Sequence, residues 1–328
     1  MEIIESIEEL ASASAARGPA ALTIGVFDGL HTGHQALIRR TVEQARARSC
    51  AALVITFAAH PLSVLAPPYC PRQLIYPARK EQLLRAMGVD VMARLPFTAD
   101  FSQLTPLDFA GRILADACAA KVVVCGYDFS FGKSGEGNCE MLARLGESFR
   151  FDVDEMDPVT DSEGVFVKST MVRDLLYSGE VLRANTLLAL PFELQGRVAK
   201  GYGRGNKIGF PTANLQVTTD HVIPARGVYL AFAMTHQPSG IHGAMVNIGY
   251  NPTFGRDRLS IEAHLLDFEG ELGSRTVSLF FLRRMRDERK FESVEALTKQ
   301  LNADRESSRR MLAADDMTAL SARLKSLL

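Results

Sequence analysis

The 328-residue chain lacks several features that would assign it to other classes of protein. Its five cysteines all lie in the first half and none forms a C-x-x-C pair, so a disulfide framework or a zinc site is disfavoured. Free thiols in a reducing cytoplasm fit this pattern better. The 37 basic and 38 acidic residues give a net charge of −1. No global basic field therefore attracts nucleic acid or an anionic membrane.

The sequence also shows no pattern typical of a targeting segment or a membrane segment. The first ten residues carry four glutamates, whereas a signal peptide starts with basic residues and an apolar run. No uninterrupted apolar stretch is long enough to span a bilayer. We therefore expect a soluble, cytoplasmic protein. The length and a hydrophobic content of 47% favour two domains, each large enough to bury its own core.

The two halves of the chain have different patterns. In the first half, strand-like runs alternate with segments of helical spacing, which predicts a parallel sheet covered by helices. The runs are residues 21–27, 51–57, 89–95 and 121–126, and the helical segments are residues 34–47, 79–87 and 106–117. From about residue 191, strand-like segments follow one another without helices, which predicts an antiparallel barrel or sandwich. They are residues 227–234, 242–248, 259–267 and 276–282, and a helical tail begins near residue 293.

The strongest local signal is T-I-G-V-F-D-G-L-H-T-G-H-Q at residues 23–35. It follows a predicted strand, makes a tight loop and opens a predicted helix. This is the carboxyl end of a strand in a parallel sheet, where ligands bind, and the new helix offers its N–H groups to a phosphate. His31 and His34 stand beside that end, and Gly33 allows the backbone to approach closely. The segment indicates a site that stabilises negative charge growing on a phosphate.

The residues alone leave two other interpretations of these histidines open. Nearby histidines on a surface loop commonly have no function, and H-x-G-H as a bare pattern is weak. Its place between a buried strand and a helix favours the functional interpretation. A zinc site is disfavoured because no nearby cysteine or carboxylate pair completes the ligand set.

A second signal is the glycine-rich segment at residues 201–214, which ends in P-T-A-N. Four of its glycines fall within nine positions, a composition that is costly to order without a reason. A loop whose N–H groups wrap a phosphate is one such reason, and Arg204 and Lys207 add positive charge. The loop is not a Walker A motif, because G-K-[ST] is absent.

These segments resemble the bacterial bifunctional riboflavin kinase/FAD synthetases, which belong to the wider class of H-x-G-H nucleotidylyltransferases. The resemblance runs from about residue 22 to residue 304, and further segments match the family's motifs in order. They are T-F-A-A-H-P at 56–61, V-C-G-Y-D-F-S-F-G at 124–132, S-T-M-V-R at 169–173, A-N-T-L-L at 184–188, N-I-G-Y-N-P-T-F at 247–254, E-A-H-L-L-D-F at 262–268 and R-D-E-R-K-F at 286–291.

The resemblance implies two domains with two activities. Residues 1–187 would form a Rossmann-like FMN adenylyltransferase domain, and residues 188–328 an antiparallel β-barrel riboflavin kinase domain with a terminal helix. The second domain would phosphorylate riboflavin to FMN, and the first would adenylylate FMN to FAD with release of pyrophosphate. ATP, riboflavin and FMN would be the substrates and Mg²⁺ the metal.

The resemblance also implies roles for residues of the first domain, with His31 and His34 as its catalytic pair. The residues assigned to ATP are Gly25, Phe27, Asp28, His31, His34, Ser169, Thr170 and Arg173, and those assigned to FMN are His60 and Asp128. Two of these have alternative interpretations from the sequence. Ser169 also fits the N-cap of a helix, and His60 also fits a packed histidine.

In the second domain the resemblance makes Glu262 the general base that accepts the proton of the ribityl 5′-hydroxyl. A solvated glutamate on a strand would give the same local pattern. The residues assigned to ATP are Gly203, Gly205, Lys207, Gly209, Pro211, Thr212 and Asn214. Thr212 and Asn214 would also bind Mg²⁺. Arg286 and Glu288 would lie near the flavin. Hard oxygen ligands suit Mg²⁺, which takes its other ligands from water and phosphate.

Two departures from the family pattern leave alternatives open. Lys168 stands where the family has a serine, and L-A-L-P-F at residues 188–192 replaces the usual L-G-R-P-Y. One alternative is a riboflavin kinase with an impaired adenylyltransferase half. Another is a non-catalytic flavin-sensing protein that acts through partners. We expect small-molecule ligands and no nucleic-acid or membrane partner, and the sequence leaves open whether the chain forms a homo-oligomer.

Overall fold

A computed structural model describes residues 1–199, 209–236, 239–251, 258–270 and 272–327. The chain divides into two compact units. The first unit consists of Met1–Pro71 and Tyr76–Lys168, and the second unit consists of Arg72–Ile75 and Ser169–Leu328. Each unit has its own sheet.

The first unit contains a six-stranded parallel sheet with the strand order β1-β4-β3-β2-β5-β6. Its strands are β1 (Glu2–Ile4), β2 (Ala20–Ile24), β3 (Ala51–Phe57), β4 (Val91–Leu95), β5 (Ala120–Gly126) and β6 (Asp152–Met156). The central strands are apolar and buried, as expected for a parallel sheet covered on both faces. Because β2 pairs with both β3 and β5, the strand order changes direction beside β2. Ligands bind at such switch points in open α/β sheets.

Helices cover this sheet, and several of them begin at a capping side chain. They are α1 (Ile7–Arg17), α2 (Thr32–Ala47), α3 (Leu62–Leu65), α4 (Pro77–Ala86), α5 (Ala99–Ser102), α6 (Pro106–Asp108, continued by a π-helix over Phe109–Ala117) and α7 (Cys139–Phe149). Short 3₁₀ turns lie at Pro67–Tyr69 and Lys133–Gly135. Ser6 caps α1 and Asn138 caps α7, each through a side-chain oxygen that accepts a backbone N–H of the first turn.

The second unit contains a closed antiparallel barrel with the strand order β10-β11-β8-β7-β12-β9. Its strands are β7 (Glu193–Ala199), β8 (Ala213–Gln216), β9 (Gly227–His236), β10 (Ser239–Asn251), β11 (Arg258–Leu265) and β12 (Thr276–Arg286). Its helices are α8 (Ser169–Ser178), α9 (Val181–Leu187), α10 (Val294–Leu312) and α11 (Asp315–Lys325). Large aromatic side chains fill its core, among them Phe192, Tyr229, Phe280 and Phe281.

The predicted fold class is confirmed in both units. Helix α2 begins at Thr32, two residues before the predicted start, because the His31 side chain caps it. Strand β2 ends at Ile24 rather than residue 27, because the backbone of Phe27 is left-handed (φ 48°) and cannot continue a strand. Throughout the described ranges, no helix combines the length and the apolar character that a membrane crossing requires.

Candidate active sites

In the first unit, two predicted motifs lie at the carboxyl ends of adjacent strands. The loop after β2 carries the H-x-G-H segment, and the loop after β5 carries Asp128. Strands β2 and β5 pair directly, with Thr23 opposite Val124. The two loops therefore leave the sheet side by side at the switch point, where the topology predicts a ligand.

The loop after β2 has an unusual backbone and is buried. Phe27 and Leu30 have positive φ angles of 48° and 46°, a conformation that residues other than glycine seldom adopt. The side chain of Phe27 is buried, and Asp28 is only 7% exposed. Left-handed non-glycine residues persist where the surrounding structure fixes them, and they cluster at functional sites. This backbone delivers His31 to the start of α2.

The two histidines form a stacked pair at the N-terminus of α2. Nδ1 of His31 accepts the backbone N–H of His34 over 3.4 Å, which leaves Nε2 as the ring nitrogen that can donate to a ligand. The two imidazole rings stack with centroids 3.6 Å apart, and the Phe27 ring meets His34 edge-on at 5.2 Å. The imidazoles thus lie where the backbone N–H groups of the first helical turn and the positive end of the helix dipole favour an anion.

The glycines of the motif are explained by close packing around these rings. A Cβ atom on Gly33 would lie 3.2 Å from the His31 ring, and one on Gly25 would lie 3.0 Å from the Phe27 ring. The Gly33 position is also close to the Val167 carbonyl oxygen. Residues 167–168 therefore pass beside the H-x-G-H loop within the same unit.

Lys168, the departure from the family motif, contacts Asp128. Its Nζ lies 3.2 Å from Oδ2 of Asp128 and 5.7 Å from the centroid of the Tyr127 ring. Hydrogen bonds to Asp128 and Tyr127 raise the pKa of Lys168, which therefore stays charged at neutral pH. More than half of each charged side chain is exposed. An exposed pair of this kind contributes only about 0–1 kcal/mol, so a ligand can displace it.

The remaining predicted residues of the adenylyltransferase site have local structural roles or belong to the second unit. Nδ1 of His60 accepts the backbone N–H of Leu62 and stabilises the turn into α3. Ser169, Thr170 and Arg173 lie on α8, in the second unit, where the buried Arg173 donates to the carbonyl oxygen of Arg72. Their predicted contact with ATP phosphates stays a prediction.

In the second unit, strand register brings three polar residues together. Glu262 on β11 lies opposite Asn214 on β8 and opposite Asn247 on β10. Directly opposed residues in antiparallel strands share one face of the sheet, with Cβ atoms about 4.5–5.5 Å apart. Ser260 on the same strand donates its hydroxyl to Glu262 Oε1 over 3.0 Å. The predicted base and the predicted amide ligand are therefore neighbours, although 48 residues separate them along the sequence.

The P-T-A-N segment is connected to the same strand through His264. Nδ1 of His264 lies 2.8 Å from the Pro211 carbonyl oxygen, and its ring packs against Phe210. Burial lowers the pKa of His264, so its neutral form can donate Nδ1–H to that carbonyl. Thr212 lies between this anchor and Asn214, and Gly209 has a φ of 78°, which suits glycine. The predicted residues Gly203, Gly205 and Lys207 lie outside the described residues.

Glu288 and Arg286, the two residues predicted to lie near the flavin, have different surroundings. The Glu288 carboxylate occupies the space where a Cβ on Gly249 would stand, on the face that carries Glu262. Arg286 instead donates from Nε and Nη2 to Oδ2 of Asp304, at 3.0 and 2.7 Å. Asp304 lies on α10 and is 5% exposed, so this is a largely buried ion pair.

Sequence reasoning did not identify His264 and Asp304 as supporting residues. His264 shares the polar face of β11 with Glu262, so the strand pattern alone predicts that it faces the site. Asp304 had no such signal, because a carboxylate on a charged helix usually faces solvent. Only the fold shows that it meets Arg286.

The first unit has a candidate phosphate site at the end of a parallel strand, as in a nucleotidylyltransferase, and the second has a barrel that carries a candidate acid–base site. Comparison with known proteins agrees with this division. The family model for FAD synthetase matches residues 13–171, and the family model for riboflavin kinase matches residues 188–312.

Relatives match over most of the chain. The bifunctional riboflavin kinase/FMN adenylyltransferase of Listeria monocytogenes is 37% identical over 89% of this chain and 92% of its own length, and that of Escherichia coli K12 is 33% identical over 94% and 97%. A crystal structure described as a macrolide-efflux protein from Streptococcus pneumoniae has a TM-score of 0.83 and 32% identity, covering 94% of this chain and 99% of that one. This chain belongs to the bifunctional riboflavin kinase/FMN adenylyltransferase family. Membership in an ATP-dependent family of this kind implies a divalent metal cation.

Proposed function

We propose that the chain makes FAD from riboflavin in two ATP-dependent steps, one in each unit, with the site residues described above. The second unit phosphorylates riboflavin to FMN, and the first adenylylates FMN to FAD. Family membership makes the chain an enzyme with both activities. The observation that carries the assignment of residues is the pairing of β2 with β5, which aligns the H-x-G-H loop with the Asp128 loop.

In the adenylyltransferase step, an oxygen of the FMN phosphate attacks the α-phosphorus of ATP. The new P–O bond forms as the bond to the β-phosphate breaks, and pyrophosphate leaves. His31 and His34 donate hydrogen bonds to the phosphate oxygens on which charge grows, beside the N–H groups of the first turn of α2. We assign Nε2–H of His31 to this role, because its Nδ1 caps the helix. Gly25, Phe27 and Asp28 form the loop that surrounds the nucleotide.

On the flavin side of the same reaction, Asp128 and His60 are assigned to FMN. Asp128 stands at the end of β5, next to the H-x-G-H loop, and its ion pair with Lys168 is exposed. We assign Ser169, Thr170 and Arg173 to the triphosphate. The exposed character of the Lys168 pair favours an active adenylyltransferase over an impaired one.

In the kinase step, Glu262 accepts the proton of the ribityl 5′-hydroxyl while that oxygen attacks the γ-phosphorus of ATP. The bond between the β- and γ-phosphates breaks, and ADP leaves. Asn214 is held opposite Glu262 by the register of β8 and β11, which supports a shared site for nucleotide and base. Gly209 and Pro211, with Gly203, Gly205 and Lys207, are assigned to ATP. Glu288 and Arg286 are assigned to the flavin.

The metal that we propose is Mg²⁺, bound by Thr212 and Asn214. In the part of the chain that the structure describes, no group of three or more His, Cys, Asp or Glu side chains is arranged to hold a metal. Mg²⁺ does not need such a cage, since it binds through one or two protein oxygens together with water and phosphate. The Thr212 hydroxyl and the Asn214 amide supply oxygens of this kind. Bound there, Mg²⁺ would neutralise charge on the ATP phosphates.

We assign residues 1–187 to the adenylyltransferase domain and residues 188–328 to the kinase domain. The matches of the two family models, to residues 13–171 and 188–312, support this division. The five cysteines are free thiols, which supports a reducing compartment such as the cytoplasm. The near-neutral charge supports small-molecule ligands rather than nucleic acid.

The test is product chromatography after the purified protein is incubated with riboflavin, ATP and Mg²⁺. We expect FMN to accumulate first and FAD to follow, with ADP and pyrophosphate as co-products. Protein that forms neither flavin product would contradict the proposal. Protein that forms FMN but converts no added FMN to FAD would support the impaired adenylyltransferase instead.

A further inference from the structure

The loop that carries the H-x-G-H histidines is anchored near its start, at its second residue. The backbone carbonyl oxygen of Val26 accepts two side-chain hydrogen bonds, from Oγ1 of Thr56 at 3.1 Å and from Nζ of Lys80 at 2.8 Å. Val26 comes directly before Phe27, whose backbone is left-handed. The two donors therefore fix the chain at the point where it leaves β2 and turns toward His31.

Lys80 is an unexpected residue in this position. It lies on α4, and the helical period places it on the side that carries the buried Leu83 and Leu84. Burial lowers the pKa of its ammonium group to about 8; the Asp28 carboxylate opposes this shift, and Arg94 adds to it. Arg94 on β4 is itself paired with Glu81 and Glu5, so Asp28 is the acidic group that raises the pKa of Lys80.

The Lys80 side chain is half-buried, and an ammonium group withdrawn from water is costly, so an apolar side chain of similar volume often gives a fold that is equally stable or more so. Such a residue at the ligand-binding edge of a sheet is more characteristic of function than of core packing. The carbonyl of Val26 would keep its bond from Thr56 without Lys80, so backbone satisfaction does not require the lysine.

We propose that Lys80 is a positioning residue of the adenylyltransferase: its ammonium group, bonded to the Val26 carbonyl, holds the left-handed loop that presents His31 and His34 to the phosphate. The inference rests on the proposed function of the first unit. It assigns Lys80 no contact with substrate. Its effect is on the geometry that the two histidines need in the transition state.

The test compares Lys80→Met with wild type in the full-length protein, with FMN and ATP as substrates. We expect kcat for FAD formation to fall by about tenfold to a hundredfold, the cost of a misplaced catalytic group, and KM for FMN to change by less than about threefold. Riboflavin phosphorylation by the same preparation should stay within about twofold of wild type. The temperature of unfolding should not fall, because the variant removes a half-buried charge and keeps a side chain of similar length.

Lys121→Met is the matched control, since Lys121 is an exposed lysine on β5 of the same unit and should leave all four values unchanged. FAD formation by Lys80→Met within about twofold of wild type would overturn the proposal. A loss of FAD formation accompanied by a clearly lower unfolding temperature would make Lys80 a structural residue and would also overturn it. Wild-type protein that forms no FAD would contradict the proposed function itself, a separate result.

A double-mutant cycle tests whether Lys80 acts through its hydrogen bond to the Val26 carbonyl. Residues that share one partner show coupled effects, whereas independent residues show effects that add as free energies. We expect Thr56→Val to lower kcat for FAD formation as well, and the double variant with Lys80→Met to depart from the product of the single effects. Effects that simply multiply would exclude the shared carbonyl as the means by which Lys80 acts.

Discussion

The two units position their candidate active-site residues in different ways. In the first unit, the site follows from the backbone: a left-handed loop after β2 turns into α2, and His31 and His34 lie only three residues apart. In the second unit, the site follows from strand register, which brings Asn214 and Glu262 together from separate strands. One site depends on a local conformation, and the other depends on the pairing of the whole barrel.

This difference has a consequence for how each site is supported. A strained loop needs anchors from other elements, and Thr56 and Lys80 supply them from β3 and α4. A register-built site needs fewer such anchors, because each strand is fixed by its ladder of hydrogen bonds. Mutations should therefore separate the two activities, and their effects should reveal which kind of support each site uses.

The largest effect is expected at the kinase base. Glu262→Gln keeps the shape of the side chain but removes the proton acceptor, so FMN formation should fall by about 10²–10⁴-fold. Conversion of added FMN to FAD should continue. Glu269→Gln, at an exposed glutamate in the same unit, is the control. Rapid phosphorylation of riboflavin by the Glu262 variant would remove Glu262 from its role.

A somewhat smaller effect is expected at the other site. His34→Ala removes one donor to the phosphate and leaves the His31 cap of α2, so FAD formation should fall by about 10²–10³-fold. Riboflavin phosphorylation should be unaffected. His236→Ala, at an exposed histidine on β9, controls for the loss of an imidazole. Unchanged conversion of FMN to FAD would refute the phosphate role of His34.

The third test concerns the barrel's own ion pair. Asp304→Asn leaves Arg286 without its charged partner, and breaking a buried pair costs about 3–5 kcal/mol. Because 19% of the Arg286 side chain is exposed, we expect the lower part of that range in thermal or denaturant unfolding. Glu306→Gln, which breaks an exposed pair with Arg309 on the same helix, should cost clearly less than Asp304→Asn. Equal losses in the free energy of unfolding would show that burial does not strengthen the ion pair between Arg286 and Asp304.

The smallest effect is expected at Lys168. Lys168→Ser restores the family's residue and breaks the exposed contacts with Asp128 and Tyr127, so FAD formation should change by less than about fivefold. Steady-state rates with FMN and ATP measure this directly. An increase of tenfold or more would show that Lys168 weakens the site, as the alternative of an impaired adenylyltransferase requires.

Much of the fold was predictable because its patterns are simple. The buried strand over Ala51–Phe57 has the predicted bounds, and the alternation of Ile261 and Ala263 with Glu262 indicated a strand with one polar face. Strand β6 was missed, because an edge strand with Asp152 and Asp154 has no apolar run. The π-helical hydrogen bonding after α6 was also missed, since it leaves the apolar spacing of a helix almost unchanged.

The sites were predictable to different degrees. The H-x-G-H loop could be recognised from local sequence, but the left-handed backbone of Phe27 and Leu30 could not, because neither residue type favours that conformation. The anchor at Lys80 joins elements that are far apart along the chain. In the barrel, no local pattern places Asn214 opposite Glu262, since register depends on all the strands.

The central claim is that one chain holds two separable sites linked by free FMN. The most direct test mixes the Glu262→Gln and His34→Ala proteins and supplies riboflavin, ATP and Mg²⁺. Alone, the first variant should form neither flavin product, and the second should stop at FMN. Together they should form FAD, which chromatography detects. A mixture that forms no FAD, or FAD from either variant alone at the wild-type rate, would contradict the account.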